Sequence, residues 1–136
     1  NLNSEIDYIF FIDSTILRMW FKNKKVEEIF NNELYKNNLF KNFGVFIDEK
    51  FCLINDLPLD DRRYGDLIWW ANIEILIFPN FFNFKPLKGM HGYRNDDAST
   101  YGTCIFYANN FKPKKFDKIE LSKIHDIILK VFSKNE

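Results

Sequence analysis

Residues 8–21 read YIFFIDSTILRMWF, and the conformation of the DST at their centre decides how the chain folds. Tyr8 to Asp13 is a six-residue run apolar at both alternating positions, which predicts a short buried strand. Asp13, Ser14 and Thr15 are residue types whose side-chain oxygens cap helix N-termini. Ile16 to Phe21 mixes aliphatic and aromatic residues without a clean period, and behind such a cap it is expected to open a first helix. A second helix is marked more firmly from Asn23. Val26, Ile29, Phe30 and Leu34 fall at i, i+3, i+4 and i+8, while Lys24, Lys25, Glu27, Glu28 and Glu33 fill the other face.

The segments beyond are read outward from that start. Asn31 to Asn42, rich in Asn and Lys, is expected to end the helix in a loop. Gly44 to Phe51 suggests a short strand and turn, and Asp56 to Arg63 (DLPLDDRR) a polar turn around Pro58. Asp66 to Ala71 (DLIWWA) and Ile73 to Phe78 (IEILIF) read as two strands bent or joined at Ala71-Asn72. Pro79 to Pro86 is loop, and Tyr101 to Ala108 (YGTCIFYA) another strand. Leu121, Ile124, Ile128, Leu129 and Phe132 form a closing helical stripe. The predicted order is strand, two helices, about three strands and a final helix, a mixed α/β domain over residues 1–136 with one core, no repeat and no linker.

Composition narrows the classes of function. The 136 residues amount to about one domain, long enough to bury roughly two thirds of the unfolded chain's surface. Sixteen phenylalanines and an aromatic share of 18% point to a well-filled core or an additional apolar surface. Net charge is zero at a pI near 6.9, so the basic field that nucleic-acid binding needs is missing. The run Lys112, Lys114, Lys115 and Lys118 reads as a solvated loop. Cys52 and Cys104 are too few for a disulfide framework, lack metal-ligand spacing, and are expected to be buried apolar residues. No apolar run approaches the ~20 residues that span a bilayer. The chain opens at Asn1 with neither an initiator methionine nor a signal peptide, which suggests a fragment and leaves the compartment open.

Few residues can carry chemistry. There is no phosphate-cradling glycine loop, no HExxH pair and no nucleophile elbow. Asp96 and Asp97 are neighbours that point apart on an extended backbone, and they read as a solvated turn. His125 borders the apolar stripe of the last helix and is expected to be a packing or boundary residue. His91 differs, because KGMHGY places Gly89 and Gly92 around it and lets the loop fold sharply. Such a loop suits a turn with a buried histidine, the simpler reading, or an imidazole presented to a metal ion.

From Asp13 onward the chain resembles the type I phosphodiesterase/nucleotide pyrophosphatase family of the alkaline phosphatase superfamily. The residues that carry the likeness are IDSTILRMW (12–20), RYGDLIWWA (63–71), IFPNFF (77–82), KGMHGY (88–93) and YGTCIFYANNFK (101–112). The family shows a similar order: a strand opening on Gly-Asp, a loop with F-x-P, G-x-HGYD, a further strand and a closing helix like IHDIILKVF. The HGY element between two strands is the most specific part. The likeness spans most of this chain but only the C-terminal portion of the family's catalytic domain. It implies a mixed sheet flanked by helices, the C-terminal portion of an alkaline-phosphatase-like sandwich.

That resemblance also implies a chemistry. Family members hold two metal ions, usually zinc, and cleave phosphate esters through a Thr or Ser nucleophile that forms a covalent phospho-enzyme. The histidine of HGY is a metal ligand there, so His91 takes that role by resemblance. The implied partners are a phosphate-ester small molecule of the nucleotide or lipid-headgroup class and the remainder of the catalytic domain, with no nucleic acid and no transmembrane segment in this chain. The family's nucleophile, first metal aspartate and Asp-His-Gly element lie upstream of the matched region, so no catalytic residue is assigned here. Ser14 and Thr15 are read as caps. Arg94 stands where many members carry Asp. The isolated chain is therefore expected to be inert. An alternative is a non-catalytic binding module that keeps the half-domain fold, with Ile77 to Phe84 (IFPNFFNF) as its recognition surface. The simpler expectation for that segment is a loop packing its phenylalanines onto the core.

Overall fold

The computed structural model describes residues 2–57, 62–105 and 118–132. They fall into two compact units, residues 1–101 and 102–136. The first unit is mixed α/β, built on a four-stranded antiparallel sheet. Its elements are β1 (Tyr8–Asp13), β2 (Ile16–Phe21), α1 (Lys24–Lys36), α2 (Asn38–Phe43), β3 (Gly44–Phe46), α3 (Glu49–Asn55) and β4 (Leu67–Ala71), with one 3₁₀ turn at Ala98–Thr100. The strand order is β1-β2-β4-β3.

The YIFFIDSTILRMWF stretch is a β-hairpin. Tyr8 pairs with Phe21 and Asp13 with Ile16, so Ser14 and Thr15 alone make the connection. The expected helix at Ile16 to Phe21 is thus overturned, and so is the capping role of Ser14 and Thr15. Six residues give less than two helical turns and no complete apolar stripe, whereas a two-residue period sorts them well. Leu17, Met19 and Phe21 share one face with Tyr8, Phe10 and Ile12; Ile16, Arg18 and Trp20 lie on the other. Ser14 permits the tight connection by taking φ +42, the left-handed region.

The face carrying Met19, Phe21, Leu67 and Trp69 is the core. Val26 of α1 closes over it, with Phe30 and Leu34 half-buried beside it. Phe30 packs edge-on against Tyr8 with ring centroids 4.7 Å apart, and Phe40 of α2 meets Trp69 edge-on at 5.3 Å. Gly44 begins β3 directly under Trp69. A Cβ there would collide with the indole ring and lie 2.5 Å from the Trp70 carbonyl oxygen.

Caps decide where the helices begin. Asn23 Oδ1 accepts from the Val26 amide at 3.1 Å, Asn37 Oδ1 from Leu39 at 2.9 Å, and Asp48 Oδ1 from Phe51 at 2.8 Å. The asparagines expected to dissolve the chain into loop after residue 31 thus start a second helix instead, and residues 49–55 are helical rather than turn. Leu67–Ala71 is the predicted strand, with strict alternation of burial. Ile73 to Phe78 is not a strand. Glu74 turns the chain at φ +70, and the Ile75 amide bonds back to Asn72 at 3.1 Å. Of the strand expected at Tyr101 to Ala108, residues 101–105 are irregular and the rest lies outside the described residues, as does the core of the lysine run.

In the second unit, α4 (Leu121–Phe132) is the predicted closing helix. His125 on it is exposed, its Nδ1 3.3 Å from Asp126 Oδ1. Cys52 is buried as expected, but Cys104 is exposed; both are free thiols. No helix among the described residues is long and apolar enough to cross a membrane.

Candidate functional site

The second sheet face, carrying Ile16, Arg18, Trp20, Ile68 and Trp70, is only half-buried and receives the long irregular segment after β4. That segment returns to the hairpin at its tip. The Ile77 amide donates to the Ser14 carbonyl at 2.7 Å and the Phe81 amide to the Ile12 carbonyl at 3.0 Å. Asn80 shapes the bend between Ile77 and Asn83: its Oδ1 accepts from the amides of Phe82 and Asn83 at 3.0 and 2.9 Å, and its Nδ2 donates to the Ile77 carbonyl at 2.9 Å. Phe81 and Phe82 lie against Phe11, ring centroids 5.1 and 6.3 Å away.

The expectation that these phenylalanines pack into the core does not hold. Phe78, Phe81, Phe82 and Phe84 are 51%, 72%, 61% and 86% exposed. Phe81 and Phe82 are flanked by a half-buried Phe11 on β1.

The HGY loop is anchored at the Gly92 carbonyl oxygen. Gly92 takes φ +92, and its carbonyl oxygen accepts two side-chain hydrogen bonds, from Thr15 Oγ1 at 2.8 Å and Trp70 Nε1 at 2.9 Å. Thr15 is 2% exposed and sits in the hairpin connection; Trp70 sits in β4, paired with Ile16. The Ala71 amide donates to the Thr15 carbonyl at 2.8 Å, so both donors are fixed to the same corner of the sheet. A Cβ on residue 92 would lie 3.3 Å from Thr15 Oγ1 and would also be strained at that φ. Gly89 has open space around it and carries no such constraint.

His91 itself is exposed, so the simple reading of a turn around a buried histidine is overturned. Tyr93 is half-buried, and burial first, then Glu74, pushes its phenol above the usual range. Arg94 pairs with Asp96 at 3.1 Å. Asp97 caps the 3₁₀ turn through the Ser99 amide and hydroxyl, and the hydroxyl bond holds its carboxyl below the usual range. Asp96 and Asp97 therefore face different partners, as expected of a solvated turn.

No group of three or more His, Cys, Asp or Glu among the described residues is placed to hold a metal ion. His91 is suitable as one nitrogen donor, but the described residues do not complete a site around it. An open cleft of about 420 Å³ lies elsewhere, lined by Glu27, Tyr35, Asp48, Glu49 and Asp66 among others, and does not include His91. Its Asp66 is already engaged by Arg62 and by the Phe21 amide. Sequence reading found His91 and its glycines but missed Thr15 and Trp70, because the hydroxyl and the indole act on a carbonyl 77 and 22 residues away. No family model, curated protein or solved structure matches the chain.

Proposed function

We propose that this chain is the C-terminal portion of a metal-dependent phosphodiesterase of the type I phosphodiesterase/nucleotide pyrophosphatase kind, with its sheet forming one edge of an alkaline-phosphatase-like sandwich. In this reading His91 is one ligand of a two-zinc site. The remaining ligands and the Thr or Ser nucleophile come from residues upstream of Asn1. The observation that carries the reading is the pinned HGY loop: an exposed imidazole stands beside a carbonyl fixed by two donors from the sheet corner. A zinc pair, when bound, stabilises the attacking and leaving oxygens of an in-line displacement. This chain's residues contribute the position of one donor.

Thr15 is not that nucleophile. Its hydroxyl proton is committed to the Gly92 carbonyl, and the side chain is sealed from solvent. The isolated chain, assayed with a nitrophenyl phosphodiester and zinc, is expected to show no turnover above background. Robust hydrolysis abolished by His91→Ala would show that the active site has been misplaced.

The four exposed phenylalanines of residues 78–84 favour a second reading, a binding module with an aromatic recognition surface. The gene immediately upstream separates the two. A reading frame continuing into a Thr-containing nucleophile segment and an Asp-His-Gly element supports the enzyme, and a start codon near Asn1 supports the module.

A further inference from the structure

We propose that the loop at residues 78–88 is a peripheral membrane anchor, inserting its phenylalanines into the headgroup boundary of an anionic lipid surface. The proposal rests on reading the exposed phenylalanines as a recognition surface and is independent of the role given to His91. Phe78, Phe81, Phe82 and Phe84 stand 51%, 72%, 61% and 86% exposed within one seven-residue span. Large apolar side chains gathered so densely at a surface mark a site of contact. The charge around them is one-sided. Residues 75–94 include Lys85, Lys88, His91 and Arg94 but no Asp or Glu, in a chain with 19 acidic residues. Arg94 is paired with Asp96, whereas no ion pair among the described residues engages Lys85 or Lys88. Both lysines are exposed and lie within four residues of Phe84. An anionic bilayer surface is complementary to that combination: the rings enter the acyl boundary and the ammonium groups meet the phosphates.

The backbone of the bend favours lipid over other partners. An amide withdrawn from water without a partner is costly, so a segment that enters a bilayer must satisfy its own donors. The tip of this loop does so. Pro79 has no N–H, the Asn80 amide donates to the Asn83 carbonyl at 2.9 Å, and the Phe81 amide donates to the Ile12 carbonyl at 3.0 Å. The Phe82 and Asn83 amides both donate to Asn80 Oδ1, at 3.0 and 2.9 Å. From residue 79 to 83 no backbone N–H is left to pair with an extended peptide or with nucleic-acid phosphates. None is lost when water is withdrawn. The bonds from Ile77 to Ser14 and from Phe81 to Ile12 also fix the bend on the hairpin, so little ordering entropy opposes insertion.

The test is cosedimentation of the full chain with vesicles of phosphatidylcholine and phosphatidylserine in equal parts, and with vesicles of phosphatidylcholine alone. The unaltered chain is compared with Phe82→Ser plus Phe84→Ser, with Lys85→Gln plus Lys88→Gln, and with Leu53→Ser. The last removes an apolar residue of α3 that is 84% exposed and remote in sequence from the loop. Thermal unfolding confirms that each variant is folded. The unaltered chain is expected to bind the mixed vesicles, and the phenylalanine pair to weaken binding by about tenfold or more. The lysine pair should weaken it by about twentyfold and remove the preference for the mixed vesicles. Leu53→Ser should change nothing. An unaltered chain that does not bind the mixed vesicles overturns the proposal. Binding that survives loss of the phenylalanines overturns it too, as adsorption without insertion. Equal losses in Leu53→Ser and the phenylalanine pair overturn it as general adhesion. Sedimentation velocity without vesicles and a single-stranded RNA probe then separate this failure from failure of the recognition surface itself. Self-association or RNA binding that the phenylalanine pair abolishes, with no vesicle binding, overturns lipid and keeps the surface for another partner. No effect of the pair in any assay overturns both.

Discussion

Ser14 bears two local costs at once. It holds a left-handed φ of +42, worth about 1–2 kcal/mol for a residue with a Cβ, and its buried Oγ has no hydrogen-bond partner among the described residues. An orphaned buried hydroxyl costs a further 1–3 kcal/mol on the usual scale, roughly. Ser14→Gly relieves both and gives back about 0.5–1 kcal/mol in lost backbone freedom. The variant is expected to be more stable by about 1 kcal/mol or more, read as a higher urea midpoint at unchanged slope. A lower midpoint would mean that the hydroxyl has a partner the hairpin needs. At this scale the sequence misled for a definite reason: two-residue hairpins are usually signalled by Asn-Gly or Gly-X, and Ser-Thr after Asp resembles a helix cap more closely. The same residues then concealed Thr15, whose hydroxyl looks like a cap or a nucleophile and in fact holds the HGY loop.

At the scale of elements, the antiparallel register makes a sharp distinction between adjacent residues of β2. Met19 is 4% exposed in the core, while Arg18 lies on the half-buried face. Met19→Ala is expected to destabilise by about 2–5 kcal/mol, and Arg18→Ala by well under half as much, in chemical denaturation. A helix over residues 16–21 would not set those neighbours so strictly apart, so equal costs would count against the hairpin. Elements with a complete local signature were legible. Leu67–Ala71 has strand period, and α1 and α4 have apolar stripes at helical spacing. Those that depend on partners were not. The helices at residues 38–43 and 49–55 are short and rely on the caps Asn37 and Asp48, whose residue types equally signal loops. Residues 73–78 have the β-branched content of a strand, yet the chain leaves the sheet there because Glu74 turns and Ile77 bonds to the hairpin tip.

At the scale of the whole molecule, the first unit is arranged in two unequal halves. One sheet face is sealed by α1 and α2 into a core of Met19, Phe21, Val26 and Leu67. The other carries the candidate site: the hairpin tip, Trp70, the clamped Gly92 and the exposed phenylalanines of residues 78–84. His91 was readable as a candidate because glycines flank a rare histidine. Its exposure and its anchoring were not, since both follow from contacts that close across 77 residues of chain. His91 is proposed to ligate a metal ion in a phosphoryl-transfer site completed by upstream residues. The direct measurement is zinc content and nitrophenyl phosphodiester turnover of the chain extended by the sequence encoded upstream of Asn1, with and without His91→Ala. The expected result is two bound zinc ions in the unaltered protein, loss of about one on substitution, and a fall in turnover of at least about a hundredfold, the scale expected when a metal ion's charge stabilisation is lost. Unchanged zinc content and unchanged turnover in the His91→Ala protein would contradict it.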